Sequence, residues 1–189
     1  MTNMTLQVLP MSIQQASSLD AEKFRNAMRN VPGAVSIVTT GARPGRHGLT
    51  LTAGCSVSTE PSSVLVCVNK SAGAHDTIRD SRVFCWNILA EEHLALAKTF
   101  SGQDGSKGDV RFTDGLWQHL TTGAPSLIRA VCSFDCRVLA AHDAGSHTIF
   151  IGQVVAQAVN SDREPLLYVK GCFAVPKAHE PVPASAGAR

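Results

Sequence analysis

Apolar positions recur at helical spacing in only a few short windows of this chain and at strand spacing, or in unbroken runs, almost everywhere else. Phe24, Ala27, Met28 and Val31 fall at i, i+3, i+4 and i+7 behind two candidate caps, Ser18 and Asp20, and Pro32-Gly33 stops the run. That spacing predicts a first helix laying one apolar stripe on a core. From Ala34 the texture becomes β: residues 34–40 and 47–52, joined by the turn-rich Gly41-Ala42-Arg43-Pro44-Gly45, suit a hairpin, and 63–68 reads as a fully buried strand. Residues 74–80 read as a short helix, and 83–89 as a strand in which Phe84, Trp86 and Ile88 alternate with Val83, Cys85 and Asn87. A second clear helix opens at Glu91 and Glu92, runs through Leu94, Ala97, Lys98 and Phe100, and ends at Ser101-Gly102. After a polar, mobile loop at 103–109, strands are expected near 116–120, 130–142, 147–159 and 166–175. Gly152, inside the third of these, marks a bulge or a close backbone approach.

Long alternating strands with helices inserted as plugs, and not as regular crossovers, predict a mainly β fold built on an antiparallel barrel, not a doubly wound sheet. The 189 residues suit one domain over 20–176, with flexible segments at 1–19 and at the Pro-, Ala- and Gly-rich 177–189. No internal repeat or second domain is visible. Gly-x-Gly-x-x-Gly and Gly-x-x-x-x-Gly-Lys-Ser/Thr are both missing, so a bound nucleotide would need a site of another kind.

The formal charge of +2 is interspersed and gives no basic tract for nucleic acid. The first 18 residues lack the charge and apolar run of a secretory signal, and no later segment approaches a membrane span; a cytoplasmic protein is expected. Its six cysteines are then expected as thiols. Cys132 and Cys136 would lie roughly 13 Å apart along one strand face, too far to share a zinc ion, and there is no Cys-x-x-Cys pair, so no metal site is predicted.

The stretch from His47 to Pro61 stands apart because small residues, hydroxyls and bare backbone occupy ground where a well-filled core would use branched aliphatics. Its N–H groups and hydroxyls could bond the edge of a flat heterocycle, with Asn69-Lys70-Ser71 placed to hold a phosphate. A polar hairpin between strands is the other reading.

Several landmarks carry a resemblance: Phe24-Arg25-Asn26-Ala27-Met28, Val38-Thr39-Thr40, Gly48-Leu49-Thr50, Ser56-Val57-Ser58 and the run Val64 to Ser71. Phe84 to Leu89, Phe100-Ser101-Gly102, Gly145-Ser146-His147 and Pro165 to Tyr168 continue it. In this order, over residues 24–176, the chain resembles the short-chain flavin reductase family, whose domain is the FMN-binding split barrel. The resemblance implies a homodimer in which NADH or NADPH reduces FMN or FAD, and a reduced flavin that leaves to serve a separate flavin-dependent monooxygenase acting on an aromatic compound. Hydride chemistry is intrinsic to the flavin, so such a protein mainly aligns the two ring systems.

By the same resemblance, Thr50, Thr52, Ala53, Cys55, Ser56, Val57 and Ser58 line the isoalloxazine. Asn69, Lys70 and Ser71 hold its phosphate, helped by Thr77 and by the N-terminus of the 74–80 helix. His147 matches a Gly-Asp-His motif whose histidine lies beside the nicotinamide; read by itself it is an ordinary strand-start residue. Arg111 and Phe112 match a basic–aromatic pair near the flavin or, alternatively, enter a strand. Tyr168 and Phe173 either wall the nicotinamide pocket or belong to core or dimer interface. The chain departs from the family at Ser146, where an acidic residue is usual, which makes a charged His147 less assured. It departs again at Glu60-Pro61-Ser62-Ser63, where one proline stands in place of two. His75, His93, His119, His142 and His179 share no face or ligand spacing and receive no catalytic role. Competing functions are a non-catalytic flavin carrier or sensor, a reductase of a corrinoid or ferric acceptor, and, ranked last for want of cationic side chains beyond Lys70, an oxidase of a vitamin phosphate.

Overall fold

The computed structural model describes residues 20–177, so Ser18 and the segments 1–19 and 178–189 lie outside the described residues. The strands are β1 (Gly33–Ala34), β2 (Ser36–Thr40), β3 (His47–Leu51), β4 (Gly54–Thr59), β5 (Ser62–Asn69), β6 (Val83–Ile88), β7 (Trp117–His119), β8 (Pro125–Leu127), β9 (Cys132–Ala144), β10 (His147–Val159), β11 (Leu167–Val169) and β12 (Cys172–Ala174). The helices are α1 (Ala21–Met28), α2 (Gly73–Ser81) and α3 (Leu94–Phe100), the last entered through a 3-10 turn at Glu91–His93.

Seven strands form one antiparallel sheet in the order β3-β2-β6-β9-β10-β5-β4, with β3 and β4 as its two edges. Their inward side chains make one core, including Val38, Val66, Val68, Phe84 and Phe150. Fully burying a side chain of this size stabilises the fold by about 1.5–3 kcal/mol. A second core, including Val35, Ile37, Leu89, Phe100, Phe112 and Leu127, packs α3 and the β7–β8 pair outside the sheet.

The expected strand at 34–40 is two strands in different sheets. Val35 between them donates its N–H to Leu166 O (2.8 Å) and accepts from Leu89 N (3.0 Å), so the backbone changes partners there without leaving a buried polar group unpaired. The expected strand at 166–175 likewise folds into the hairpin β11–β12, turning at Lys170 and Gly171, both of positive φ. β5 alternates buried with half-buried residues and is not buried on both faces. Gly152 fulfils both expectations: the β9–β10 register shifts beside it, and a Cβ there would lie 2.6 Å from Phe84 Cζ and 2.8 Å from Cys136 Cβ.

The expectation for α1 is corrected as well. α1 begins at Asp20, whose carboxylate accepts from Glu22 N at 2.8 Å, yet it buries none of its residues. Phe24, Met28 and Val31 remain 53%, 48% and 55% exposed, so the stripe lies on no core among the described residues. Periodicity reports that a face is apolar but not what covers it.

No helix among the described residues is long and apolar enough to cross a membrane. Among them, too, no group of three or more His, Cys, Asp or Glu is placed to hold a metal ion.

Candidate functional site

A cleft of about 560 Å³ opens between edge strand β3, the start of α2 and the loop after α3. Its walls are His47, Gly48, Leu49, Thr50, Ser71, Ala72, Gly73, Phe100, Ser101, Lys107, Gly108 and Arg111. That volume is within the range of small-molecule sites.

Three local features shape it. First, Phe100 from α3 lies against bare backbone: a Cβ on Gly48 would sit 2.7 Å from its Cε1. Second, α2 starts at Ala72, which supplies no side-chain cap, so the helix presents unsatisfied N–H groups and positive dipole to the cleft. Third, the loop carrying Lys107 and Arg111 is tied down at Asp109, which accepts from Arg46 Nε (2.9 Å) and Arg46 N (3.0 Å). The hydrogen bond from Arg46 is also the main reason the Asp109 carboxyl is held below its usual range.

Arg111 donates from Nε to Ser106 O at 2.7 Å, which aims its guanidinium between this cleft and a larger one of about 600 Å³ on the far side of α3. The larger cleft contains none of the other residues expected at the site. The smaller one combines an uncapped helix start, two cationic side chains and a wall of exposed backbone, a donor set suited to a phosphorylated flat heterocycle.

The expected residues divide into groups. Thr50, Ser71 and Arg111 meet in the cleft. Thr50 uses its hydroxyl proton on Ala97 O (2.8 Å), leaving its oxygen as an acceptor. Asn69 accepts from Ser71 N (2.9 Å) and Ser71 Oγ (2.8 Å), so it shapes the turn into α2.

Cys55, Asn69 and His147 share the outer face of β4, β5 and β10, His147 standing opposite Asn69 in register. Thr52, Ala53, Cys55, Ser56, Val57 and Ser58 are all exposed. Ser58 is engaged with Glu60, and Ser56 and Ser58 edge a shallow hollow floored by Trp86, Phe134 and Val154. Gly54 is obligatory at its position, since a Cβ would sit 2.7 Å from Trp86 Cζ2. His147 is half-buried, with Nδ1 2.9 Å from Ser146 Oγ, so the serine, noted in the sequence as standing where the family has an acidic residue, supplies a neutral partner.

Five expected residues stand elsewhere. Lys70 turns away from the cleft and pairs with Asp143 at 3.1 Å, because the β9–β10 hairpin brings that carboxylate alongside. Thr77 sits one turn into α2, beyond the cleft walls. Phe112 is a core residue, 4% exposed, packed edge-on to Phe100 at 5.0 Å and covered by Arg46 at 4.7 Å; its apolar ring gains more from that cluster than from a wet cleft. Tyr168 and Phe173 pack on each other at 5.5 Å against the second core and do not reach the cleft.

Sequence reasoning missed His47, Phe100, Ser101 and Lys107 as cleft walls. Phe100-Ser101-Gly102 and Gly48 were visible as landmarks, but Lys107 arrives only through the Arg46–Asp109 tie, a contact between residues distant in sequence.

The fold and cleft define a class: residues 28–175 match the model of the flavin reductase like domain. The chain belongs to this family, a class of oxidoreductases. Among individual relatives, the FMN reductase (NADH) RutF of Agrobacterium fabrum is 44% identical over 145 residues, covering 77% of this chain and 82% of that protein. The enzyme of the same description from Yersinia enterocolitica is 36% identical over 176 residues, covering 90% and 96%.

Solved structures agree. Flavin reductase PheA2 superposes with a TM-score of 0.76 at 31% identity, covering 85% of this chain and all of that one. BorF, the flavin reductase component of a bacterial two-component tryptophan halogenase, gives 0.78 at 27%, covering 85% and 100%. The Streptomyces globisporus NADH:FAD oxidoreductase SgcE6, in complex with NAD and FAD fragments, gives 0.74 at 26%, covering 90% and 100%.

Proposed function

We propose that this protein is an NADH-dependent FMN reductase whose reduced flavin is passed to a separate flavin-dependent monooxygenase. The observation that carries the reading is the cleft itself: an uncapped start of α2 beside Lys107 and Arg111, facing the bare backbone of Gly48 and the acceptor oxygen of Thr50. Bound there, the flavin supplies the hydride-accepting chemistry. The chain's own residues bind and orient. The N–H groups at the start of α2 and the cations of Lys107 and Arg111 hold the phosphate; Gly48 lets Phe100 close down as a wall for the ring; Ser56, on the edge strand β4, offers a free hydroxyl to its polar edge. His147, held by Ser146, meets the nicotinamide carboxamide from the outer face of β10.

FMN is favoured over FAD by the names of the relatives at 36–44% identity, whereas SgcE6 is named for FAD. A monooxygenase as recipient is favoured by the neighbours described as components of two-part systems. An aromatic substrate for that recipient is the narrower form of the reading: BorF serves a tryptophan halogenase, while another neighbour is a nitrilotriacetate monooxygenase component. A homodimer of one-domain chains in the cytoplasm completes the reading. The uncovered apolar stripe of α1 is a surface a second copy would cover.

Anaerobic mixing of the purified protein with NADH and excess FMN or FAD tests this. Sustained flavin bleaching over many turnovers, fastest with FMN, is expected. Flavin binding without bleaching by NADH or NADPH would replace the enzyme with a carrier.

A further inference from the structure

The first turn of α2 carries a histidine for which the reaction has no direct use. His75 is 6% exposed, and its ring is set by Phe150, whose centroid lies 5.6 Å away at an interplanar angle of 59°. Both ring nitrogens are engaged: Nε2 lies 2.9 Å from Thr148 Oγ1 and Nδ1 lies 2.9 Å from Asp76 Oδ1. Beyond them Thr148 Oγ1 donates to Asp143 Oδ1 at 2.9 Å, and Asp143 Oδ2 pairs with Lys70 Nζ at 3.1 Å. Asp76 also receives Arg79 at 3.2 Å, and Arg79 reaches Asp80 as well.

The two ends of this chain are carboxylates, which only accept. Asp76 takes one ring nitrogen of His75, Asp143 takes the Thr148 hydroxyl, and Thr148 Oγ1 bridges the other ring nitrogen to Asp143. Both carboxylates are held below their usual range, Asp76 first by the bond from His75 and Asp143 first by the bond from Thr148, in keeping with their acceptor roles.

The chain crosses the fold at a point that matters for the cleft. Thr148 is the residue after His147 on β10, and its side chain enters the core while His147 faces out. Lys70 N donates to Ser146 O at 2.9 Å, joining the end of β5 to the same hairpin tip. The N-terminus of α2, the end of β5 and the β9–β10 tip are thus bonded together through one buried ring.

We propose that His75 is a positioning residue of the flavin site: through Thr148 and Asp143 it fixes the tip of the β9–β10 hairpin, and with it the places of His147 and Lys70. The proposal rests on the flavin reductase reading for its functional consequence but not for its geometry. Thr148 locked inward sets the roll of β10 that keeps His147 outward, and Asp143 locked by Thr148 keeps the Lys70 ammonium off the cleft.

The two ring nitrogens can be separated by substitution. In His75→Gln the amide nitrogen takes the place of Nε2 and still reaches Thr148; in His75→Asn it takes the place of Nδ1 and reaches only Asp76. Thr148→Val leaves the histidine and removes the relay. Hydrogen exchange at residues 144–148, measured on the protein alone, is expected to quicken about tenfold in His75→Asn and Thr148→Val and to stay within about twofold of the parent in His75→Gln. The KM for NADH should follow the same order while kcat changes less. A general structural role would instead lower the melting midpoint in all three without separating Gln from Asn. Equal exchange in His75→Asn and His75→Gln overturns the proposal, and so does unchanged exchange in Thr148→Val. If the parent fails to reduce FMN, the functional reading falls while the exchange data still decide the positioning role.

Discussion

β4 and β6 are strands of equal length in the same sheet, six residues each, with opposite fates. β6 lies between β2 and β9 and is buried almost throughout, whereas β4 lies at the edge and is exposed almost throughout. Their polar groups differ accordingly. Asn87 of β6 is fully enclosed and saturated: it donates to Ile37 O (3.1 Å) and Thr39 Oγ1 (3.2 Å) and accepts from Leu127 N and Ser133 Oγ (both 2.8 Å). Nearby, buried Asp135 accepts from both the N–H and the hydroxyl of Thr122, and Thr39 donates to Pro125 O. These bonds join the sheet to β8 and the second core. Ser56 of β4, by contrast, makes no side-chain bond among the described residues. Polar groups at the centre of the sheet specify the fold, and those at its edge stay available to a ligand.

The largest contrast is in thiol chemistry. Burial pushes the Cys136 thiol up to about 12, and burial also raises Cys85 of β6 well above the ordinary value, while Cys55 of β4 is exposed. Against a thiol at the ordinary 9.0, Cys136 has about a thousandfold less thiolate near neutral pH. Alkylation of the native protein followed by mass mapping should therefore mark Cys55 and Cys172 and leave Cys85 and Cys136 unmarked until denaturant is added. Excess FMN should slow the reaction at Cys55. Equal labelling of Cys85 and Cys55 would erase the distinction between the two strands.

Next in size, Asn87→Ala should cost about 3 kcal/mol in urea unfolding, because it strands Leu127 N–H and Ser133 in a closed interior. A loss under about 1 kcal/mol would mean that water replaces the amide.

A smaller effect is expected at the loop tie. The folded-state pKa of Asp109 is depressed, so the Arg46–Asp109 bond contributes fully above the ordinary carboxylate range and is lost as pH falls through the lowered value. Asp109→Asn should remove that acid-side dependence and raise the KM for FMN at neutral pH by about two- to threefold, since the pair is partly exposed. A KM that does not move would detach Lys107 and Arg111 from the cleft.

The smallest effect on stability belongs to β4 itself. Ser56→Ala should leave the unfolding free energy within about 0.5 kcal/mol of the parent while weakening FMN binding, measured by fluorescence titration. A stability loss as large as that of Asn87→Ala would show that the edge is built for the fold after all.

How much was legible beforehand follows the same division. α2, α3, the β2–β3 hairpin, β6 and the long β9–β10 pair were readable because their side-chain period and turn residues are local signals. Gly152 was readable because a glycine inside a long strand has few other uses. The splitting of 33–40 into two strands was not, because Val35 changes partners through bonds to Leu166 and Leu89, far away in sequence. The fate of the α1 stripe was not, because amphipathicity does not name a covering surface.

The site divides likewise. Thr50 and Ser71 were named from the ordered landmarks and Arg111 from the basic–aromatic pair, and they do meet. Phe112 and Lys70 were misplaced because each has a stronger claim elsewhere: an aromatic cluster for the ring, the Asp143 carboxylate for the ammonium. Lys107 and His75 were passed over because nothing adjacent to them in the chain signals their partners.

By itself, then, the sequence determined the strand-rich character of the chain, its short helices, its family and the hydroxyl-rich segment that stays out of the core. Those follow from local periodicity and from residue order. The tertiary structure alone decided which cation faces the cleft, which histidine is enclosed and which strand forms an edge. Those outcomes depend on contacts closed over tens of residues, where burial and pairing, not local preference, set the lowest free energy.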